Sequence, residues 1–461
     1  MSDSLVASNA ASNYALADYM LQPDNQDLRG IPGDMGLPLI GHNIGFIKDT
    51  YALADRHYKK YGPLSTLNSF GLKGVLALGP DLAQQIFLDP NRDFSSRMGF
   101  QDRVGRFMDQ NLAMLDFDHH RHQRRLMQSA FKNDAMQLYT DRINFIYRRA
   151  LGEWSNESEI KFFDHMKNLL LEVAADIFVG VQERGAQMQK LNQAFLDVVK
   201  GLMFIRPINL PGFTYHRGLR GKEVLQSFIR SLIPARRAGS GTDVLSYFCK
   251  EKNELGESFT EEEIIGQMAF LLFAAHDTTT AALTHTIYYL VRNPEIKQRL
   301  YEECISLGTD ELSYNQLDAG PYMQMVFNEV QRIRPSVPLL PRRTVREVEM
   351  AGYKVPAHTQ VFIFSRYSHY MPEYWSNPLQ FDPERFERGE HKKHPFQFHP
   401  FGGGAHKCIG MHFSQMEYKC FMHQFMLKFD FERINQKDPW MQTLPLPKPA
   451  DDMPIKLIKR K

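Results

Sequence analysis

The amino-acid sequence predicts a mainly α-helical protein with a small β portion, built as a single large domain. Three observations predict this class. Asp118–Pro234 has a predominantly helical pattern of apolar residues, a long helix follows near Thr260–Arg292, and only short runs have strand character. A chain of 461 residues is as long as about three average domains, yet no internal repeat, low-complexity tract or linker divides it.

The first half of the chain is expected to begin with a polar, loosely ordered extension over residues 1–30. Ile31–His42 (IPGDMGLPLIGH) is rich in proline and glycine, which is typical of a rigid surface segment. Two strands follow, near Leu64–Ser69 and Val75–Leu78. The helical region after them is interrupted at Arg206–Phe213, which contains two prolines and a glycine.

The second half begins with the long helix. Thr260 followed by Glu263 forms a capping box at its start, and Pro294 lies just past its end. Further elements are predicted in this order: helices near 294–305 and 321–333, short strands within 344–364, a loop-rich stretch up to residue 408, a helix at 411–428 and a terminal pair of strands.

Composition excludes several classes of protein. The 55 Lys+Arg and 53 Asp+Glu leave a net charge of +2, so there is no general electrostatic case for nucleic-acid binding. The richest apolar run, Met268–Ala275, is much shorter than a membrane span, so no transmembrane anchor is expected. With only 4 Cys and no secretory signal, the chain is expected to be cytoplasmic. The 33 Phe and 22 Met favour a roomy apolar pocket.

The most informative segment is FHPFGGGAHKCIG, which ends at Gly410. Three consecutive glycines precede Cys408 and allow the backbone to approach a flat ligand closely. Cys408 is expected at a helix N-terminus beside His406 and Lys407, where the helix dipole and the neighbouring charge favour the thiolate. Such a thiolate is either a nucleophile or a metal ligand; the alternative is a buried, inert cysteine. No signature of a cysteine protease accompanies it.

This segment resembles the cysteine loop of the cytochrome P-450 haem-thiolate family. The family's pattern Phe-x-x-Gly-x-x-x-Cys-x-Gly is matched by Phe401, Gly404, Cys408 and Gly410. The resemblance implies the cytochrome P-450 fold over residues 31–461, haem b as cofactor, and Cys408 as the axial ligand of the haem iron.

Two further segments match the family in the same order along the chain. Glu329 and Arg332 are three residues apart on one helix face, which for an isolated pair indicates a surface ion pair of little value. In the family such a pair is buried beneath the haem with an arginine from a Pro-Glu-Arg-Phe segment, which here supplies Arg385. These three residues are therefore expected to be scaffold.

On the long helix, the apolar run MAFLLFAA is broken by the polar cluster His276 to Thr280. Threonine and aspartate compete for backbone hydrogen bonds, so the cluster by itself indicates either a kink or a functional site. It also resembles the family's oxygen-activation motif, with Ala275 where glycine is usual. The resemblance implies that Thr278 takes part in oxygen activation and that Asp277 controls proton delivery.

A basic helix, DHHRHQRRLMQSAF, resembles the family's haem-propionate helix; without the resemblance it is a solvated basic helix. Haem has two carboxylates, which need cationic partners when buried. The resemblance implies that His120 and Arg124 supply two of these partners. Arg342 is placed as a third by its spacing from a later glycine, with Arg343 as the alternative, and His406 takes the remaining position.

The substrate-contacting regions of the family are rich in Phe, Leu, Met and Val here, which favours a large lipophilic substrate; plain core packing is the alternative. These regions are Arg97–Met108, Leu202–Ile205, Phe270–Thr278, Val337–Leu340 and Leu444–Leu446. An arginine able to bind a substrate carboxylate would be Arg97, Arg103, Arg106 or Arg206. The polar cluster, together with His406, is similar to the sterol demethylase and retinoic acid hydroxylase branch, although the aromatic-rich sterol-demethylase signature is not evident.

The resemblance implies a monooxygenase that hydroxylates an isoprenoid, retinoid, steroid or fatty-acid type substrate with O2 and two electrons. Alternatives are a peroxygenase or haem isomerase of the same fold, which usually lack the Asp277-Thr278 pair, and a non-catalytic haem sensor. No electron-transfer domain is fused to the chain, so a ferredoxin or flavodoxin with its NAD(P)H reductase is the expected partner of a monomer.

Overall fold

The helices account for most of the protein. The computed structural model describes residues 17–182, 186–204, 206–239, 241–252, 256–435, 437–443 and 447–460. The helices are α1 Asp18–Leu21, α2 Asn43–Lys48, α3 Thr50–Tyr61, α4 Pro80–Leu88, α5 Ser96–Phe100, α6 Phe117–Gln128, α7 Asn133–Trp154, α8 Phe162–Val179, α9 Ala186–Leu202, α10 Thr214–Ala238, α11 Val244–Lys250, α12 Glu261–Leu290, α13 Pro294–Ser306, α14 Pro321–Ile333, α15 Ser365–Ser368 and α16 Met411–Lys428.

The strands form one larger sheet and three small ones. They are β1 Leu64–Ser69, β2 Leu72–Ala77, β3 Phe94–Ser95, β4 Glu159–Lys161, β5 Leu339–Thr344, β6 Val348–Met350, β7 Tyr353–Val355, β8 Gln360–Phe364, β9 Phe429–Arg433, β10 Met441–Gln442, β11 Lys448–Pro449 and β12 Pro454–Lys459. The larger sheet has the order β1-β2-β8-β5-β3, and only its β2–β8 pair is parallel. The other sheets pair β4-β12-β9, β6-β7 and β10-β11.

Helix α12 is the central element of the helical part. Its capping box is formed as predicted, because the Thr260 side chain accepts from the Glu263 backbone while Glu263 Oε2 accepts from the Thr260 backbone. The helix packs against α8, α10, α14 and α16, and its apolar side chains join the main hydrophobic core. Since nearly every residue of α16 from Phe413 to Met426 is also buried, two helices cross the interior side by side.

The predicted organisation of one large helical domain with a small β portion is confirmed. The helices expected near 294–305, 321–333 and 411–428 and the interruption between α9 and α10 are present. Helices α2 to α5 and strand β3 were not predicted, and neither was β4, which lies inside the segment expected to be helical and pairs with β12. Strand β4 has only three residues and one buried side chain. Such a short alternation of buried and exposed positions does not distinguish a strand from the end of a helix.

Residues 17–30 belong to the segment predicted as a loosely ordered extension, and several of them contact the folded core. The guanidinium of Arg343 donates to the carbonyl oxygens of Gln22 and Pro23 and pairs with Asp24 at 2.9 Å. The Tyr19 hydroxyl donates to Asp116 at 2.9 Å. No helix among the described residues combines the length and apolar character required to cross a bilayer.

Candidate active site

The loop before Cys408 is held in a tight backbone conformation. Gly404 has a φ of 60°, and a Cβ atom at this position would collide with the carbonyl oxygen of Phe87 at the end of α4. Only glycine allows both this conformation and this approach. The Cys408 amide then donates to the Phe401 carbonyl oxygen at 3.0 Å, which closes the loop around the cysteine.

Cys408 is exposed, whereas the other three cysteines are buried or half-buried. Burial by the surrounding protein nevertheless raises the pKa of its thiol, although the Gly410 amide and the charges of Arg124 and Lys407 lower it in part. A side chain that is both accessible and deeply set lines an internal cavity. The Gly410 amide and the two cationic side chains favour the thiolate, as expected, but burial has the larger effect in the chain alone, so the net shift in the thiol pKa is upwards.

Four basic side chains converge beside Cys408, on the side of α6 that faces the cysteine loop. The rings of His120 and His406 are tilted against each other with centroids 3.8 Å apart. Arg124 is close enough to Cys408 for each charge to affect the other's pKa. Arg342, from β5, acts electrostatically on both histidines. The structure thus brings together all five residues predicted to contact the cofactor, from three distant parts of the chain.

This cluster combines two arginines with two histidines whose lowered pKa values favour the neutral form. Burial and mutual repulsion lower the pKa of His120 to about 3 and that of His406 well below its usual range. Desolvation also lowers the pKa of Arg342 to about 10, although Asp116 and Asp89 partly compensate. The Nε2 atom of His120 is buried without a hydrogen-bond partner among the described residues. Such a cluster requires an anionic ligand, and the two carboxylates of haem b fit it.

The neighbouring arginines of β5 have different partners. Arg342 is buried, and among the described residues it donates to the Pro341 carbonyl oxygen alone, at 2.8 Å, which leaves most of its donors for a ligand. Arg343 instead binds residues 22–24 and makes longer contacts, at 3.4 Å, with the carbonyl oxygens of Tyr19 and His358. Side chains alternate along a strand, so Arg342, and not the alternative Arg343, faces the cluster.

The middle of α12 exposes one face in an otherwise buried helix. All residues from 264 to 287 are buried except five that are half-buried. These are Phe270, Phe273, Ala274, Ala275 and Thr278. Their spacing places them on a single helix face, which therefore lines the cavity. The Thr278 hydroxyl lies on this face and donates to the Ala274 carbonyl oxygen at 2.7 Å.

Asp277 points away from this face and makes contacts with α8. Lys167 Nζ lies 3.3 Å and His276 Nδ1 lies 3.1 Å from Asp277 Oδ1. Desolvation raises the pKa of this carboxyl, but the combined effect of His276 and Lys167 is larger, and the net shift is downwards. Asp277 is therefore a buried carboxylate that keeps its charge, and Lys167 connects it to the outer part of the protein.

Glu329, Arg332 and Arg385 form one fully buried cluster, as predicted. Arg332 binds both carboxylate oxygens of Glu329 at 2.7 and 2.8 Å, and Arg385 donates to Oε1 at 3.0 Å. The remaining donors of Arg332 reach the carbonyl oxygens of His369 and Pro378. Every charge is paired and hydrogen-bonded, so this cluster fixes α14 to the loop that precedes the cysteine segment.

Two charged residues were missed by the sequence analysis. Lys167 was not recognised because its ion-pair partner, Asp277, lies 110 positions away in the chain. Glu417 is buried in α16, where burial raises its carboxyl pKa to about 8 and the Thr279 hydroxyl lowers it only in part. A lone acidic residue in an otherwise buried helix was the available signal for Glu417.

Three of the predicted substrate regions, Arg97–Met108, Leu202–Ile205 and Phe270–Thr278, contribute to a second hydrophobic cluster between α9, α10 and α12. The region Val337–Leu340 does not, because Leu339 and Leu340 pack against other clusters beside the larger sheet. Phe107 and Phe204 pack on Tyr215 with centroid distances of 5.4 and 5.1 Å. Phe270 and Phe273 pack against the same cluster. Ile205 and Leu444–Leu446 lie outside the described residues.

The arginines proposed for a substrate carboxylate have separate environments. Arg103 donates to the Phe204 and Phe70 carbonyl oxygens, and its guanidinium lies 4.6 Å from the Phe204 ring centroid. Arg106 lies 5.6 Å from the same ring. Arg97 contacts Asp109 at 3.7 Å, and Arg206 is exposed. Among these, Arg103 and Arg106 adjoin the apolar cluster.

Comparison with known proteins agrees with this site. The family model for cytochrome P450 matches residues 31–453. Cytochrome P450 136 of Mycobacterium tuberculosis is 36% identical over 447 residues, covering 95% of this chain and 90% of the relative. Beta-amyrin 11-oxidase of Glycyrrhiza uralensis is 27% identical over 454 residues, with coverages of 93% and 90%.

A solved structure supports the same assignment. A cyanobacterial cytochrome P450 with retinoic acid bound superimposes with a TM-score of 0.84 at 25% identity, covering 93% of this chain and 99% of the other. The match extends over nearly the whole of both chains, and the cysteine loop, the basic cluster and the central helix lie within it. The chain therefore belongs to the cytochrome P450 family of monooxygenases, whose members bind haem b through a cysteine thiolate.

Proposed function

We propose that this protein hydroxylates a lipophilic, isoprenoid-type substrate with O2 and electrons from a separate ferredoxin or flavodoxin. The observation that carries the proposal is the accessible face of α12, where a single hydroxyl, that of Thr278, follows a run of Phe and Ala side chains. An apolar wall with one polar group suits a lipid whose position is fixed by shape and whose oxidation depends on controlled protons.

The residues that would hold the cofactor are the five that converge at the cysteine loop. Cys408 would bind the iron, and Arg124, Arg342, His120 and His406 would bind the two carboxylates. Haem, when bound, supplies a redox-active iron at which molecular oxygen is reduced. Because the pKa values of the two histidines are lowered by their neighbours, the carboxylates also relieve repulsion within the cluster.

Asp277 and Thr278 control the protons. Asp277 keeps its negative charge between Lys167 and His276, so it can take a proton that enters along the half-buried Lys167 side chain. The Thr278 hydroxyl lies one residue further on, on the cavity side, and orients water there with its free lone pairs. With Asp277 and Thr278 on different sides of α12, protons arrive from the side that contacts α8, while the side that faces the substrate stays apolar.

The substrate class is supported by the cavity lining and by the relatives. Phe270 and Phe273 from α12 meet Phe107 and Phe204 in one apolar cluster. Beta-amyrin and retinoic acid, which appear in the names of two similar proteins, are both isoprenoids. Arg103 and Arg106 lie beside Phe204 and favour a substrate with a carboxylate at one end.

A titration of the ferric holoprotein with paired ligands tests this function. Retinoic acid and retinol, a triterpene alcohol, a steroid and a fatty acid are added separately, with a hydrophilic sugar as the control. We expect a change in haem absorption with the isoprenoids, stronger for retinoic acid than for retinol, and one added oxygen atom in the product by mass spectrometry. A response only to the fatty acid, or to none of the lipids, would contradict the isoprenoid assignment.

A further inference from the structure

A group of potential metal ligands lies outside the haem site, in the N-terminal part of the fold. Asp34 and His42 come from the proline- and glycine-rich segment, and His57 comes from α3. One carboxylate oxygen and one ring nitrogen from each histidine lie within 4.8 Å of one another. Two imidazoles with one carboxylate form a donor set that suits Zn²⁺.

His57 is the strongest indication of a ligand. Its side chain is fully buried, and its Nδ1 atom is hydrogen-bonded to the Ser65 hydroxyl at 2.9 Å. Its Nε2 atom is equally buried and finds no hydrogen-bond partner in the part of the chain that the structure describes. An unpartnered buried ring nitrogen destabilises the fold, and a metal ion at Nε2 would remove that penalty.

His42 is oriented in a way that is compatible with metal binding. Its Nε2 atom faces Asp34 Oδ1 at 2.7 Å, while its Nδ1 atom meets both the carbonyl oxygen and the amide of Asn68, at 3.1 and 3.3 Å. Asn68 can therefore satisfy either tautomer. When Nδ1–H donates to the carbonyl oxygen, the Nε2 lone pair is free for a metal, as is usual for metal-bound histidine.

Asp34 provides the charge and the route of entry. Its side chain is 40% exposed, in contrast with the two buried histidines. The Tyr61 hydroxyl donates to Oδ2 at 2.9 Å and the Gly36 amide donates to Oδ1 at 2.9 Å, which fixes the orientation of the carboxylate. Hydrogen bonds of this kind around a ligand typically strengthen metal binding 10- to 100-fold.

We propose that Asp34, His42 and His57 bind one Zn²⁺ ion, which fastens the segment of residues 31–42 to helix α3. Bonds of about 2.0–2.1 Å in a tetrahedral site set neighbouring ligand atoms roughly 3.4 Å apart. The ligand atoms, which all lie within 4.8 Å of one another, reach this spacing through small rotations of the rings and of the Asp34 side chain, and the 2.7 Å contact between His42 Nε2 and Asp34 Oδ1 opens. Water takes the fourth position from the exposed side of Asp34. The role is structural, because the three ligands come from the outer segment and from α3.

Zinc binding is measured by calorimetry on the holoprotein without an affinity tag, after treatment with a chelator. We expect one strong site in the wild type, at least tenfold weaker binding in Asp34→Asn and His57→Gln, and a rise in the thermal midpoint with Zn²⁺ only in the wild type. Asp81→Asn is the matched control, because Asp81 also pairs with a histidine, His394, at 3.2 Å but lies outside the group.

Haem absorption and circular dichroism establish that each variant is folded. If His57→Gln does not fold, Asp34→Asn decides the question, since its exposed side chain leaves the core intact. Equal zinc affinity in the wild type and Asp34→Asn would show that the ion binds elsewhere. The absence of a strong site in the wild type would show that Asp34 and His42 form only a hydrogen bond. Either result overturns the proposal.

Discussion

The four cysteines have different environments, and this difference allows a direct test of the iron ligand. Cys408 is exposed in its loop, Cys249 is half-buried, and Cys304 and Cys420 are buried. We expect Cys408→Ser to abolish the thiolate-type absorption of the reduced carbon monoxide complex, because a hydroxyl is not a comparable ligand. Cys249→Ser is the control and should leave the spectrum unchanged. A thiolate spectrum in Cys408→Ser would disprove the assignment.

The threonines of α12 permit a second test at the level of single residues. We expect Thr278→Ala to keep haem and substrate binding but to produce more peroxide per reductant consumed. The reason is that controlled proton delivery to bound oxygen needs the positioned Thr278 hydroxyl. Thr280→Ala is the matched control: its hydroxyl makes the same type of hydrogen bond, to the His276 carbonyl oxygen at 2.8 Å, but is buried. An equal peroxide ratio in both variants would exclude the proposed role of Thr278.

At the scale of elements, the adjacent residues Arg342 and Arg343 of strand β5 have different roles: Arg342 faces the basic cluster and Arg343 binds the N-terminal segment. We expect Arg342→Ala to weaken haem retention by about 2–5 kcal/mol, since a buried carboxylate loses its partner. Arg124→Ala should act in the same way. The measurement is the rate of haem transfer from each holoprotein to a haem scavenger.

Arg343→Ala is the control for this series. It removes the ion pair with Asp24, so it should make residues 17–24 more sensitive to protease while haem retention stays at the wild-type level. Wild-type retention in both Arg342→Ala and Arg124→Ala, or haem loss from Arg343→Ala alone, would mean that the carboxylate contacts are elsewhere.

Local signals explain which elements were predictable. The capping box at Thr260 and the glycines before Cys408 act within a few residues, so the sequence alone locates α12 and the cysteine loop. The orientation of Arg342 was predicted from the resemblance only, because it depends on how β5 pairs with β8. Lys167 and β4 escaped prediction since their partners, Asp277 and β12, are distant in the chain.

At the scale of the whole molecule, Glu417 links stability to pH. Burial raises its pKa to about 8 in the folded protein, whereas an unfolded chain has a glutamate pKa of about 4.3. Between these values the folded state holds a proton that the unfolded state releases. The free energy of unfolding should therefore fall as pH rises, by at most ~1.4 kcal/mol per pH unit.

The comparison of wild type with Glu417→Gln isolates this contribution. Denaturant unfolding between about pH 5 and pH 8 should give the wild type a more negative slope with pH than the variant. Buried histidines such as His285, whose pKa is lowered by desolvation to about 3, act in the opposite direction below about pH 6.5 in both proteins and so cancel in the difference. Parallel profiles would show that Glu417 is ionised in the folded state.

Electron delivery also concerns the whole molecular surface. Exposed basic residues are found at and around the cysteine loop and on α6, namely Arg121, Arg125, Lys392, Lys393 and Lys407. Such a face would steer an acidic ferredoxin or flavodoxin. The Debye length falls from ~30 Å at 0.01 M salt to ~10 Å at 0.1 M. We therefore expect the rate of first-electron transfer in stopped flow to fall steeply over this range.

Charge reversal locates the docking face. Lys407→Glu and Arg125→Glu should slow the transfer without changing substrate affinity, whereas Lys354→Glu, on β7, should have no effect. A rate that neither salt nor the two reversals alter would place docking on another surface.

The contact between Gly404 and Phe87 has a consequence for the order of events during synthesis. Phe87 and Gly404, whose contact shapes the cysteine loop, are far apart in the sequence and therefore leave the ribosome at very different times. At about 5–20 residues per second, the interval between Arg124 and Cys408 alone is roughly 15–60 s. The residues of the basic cluster on α6 are therefore synthesised well before the cysteine loop that completes the site. Cofactor capture is necessarily a late step, and a chain truncated before the loop is made displays α6 and α12 without the element that closes the pocket over them.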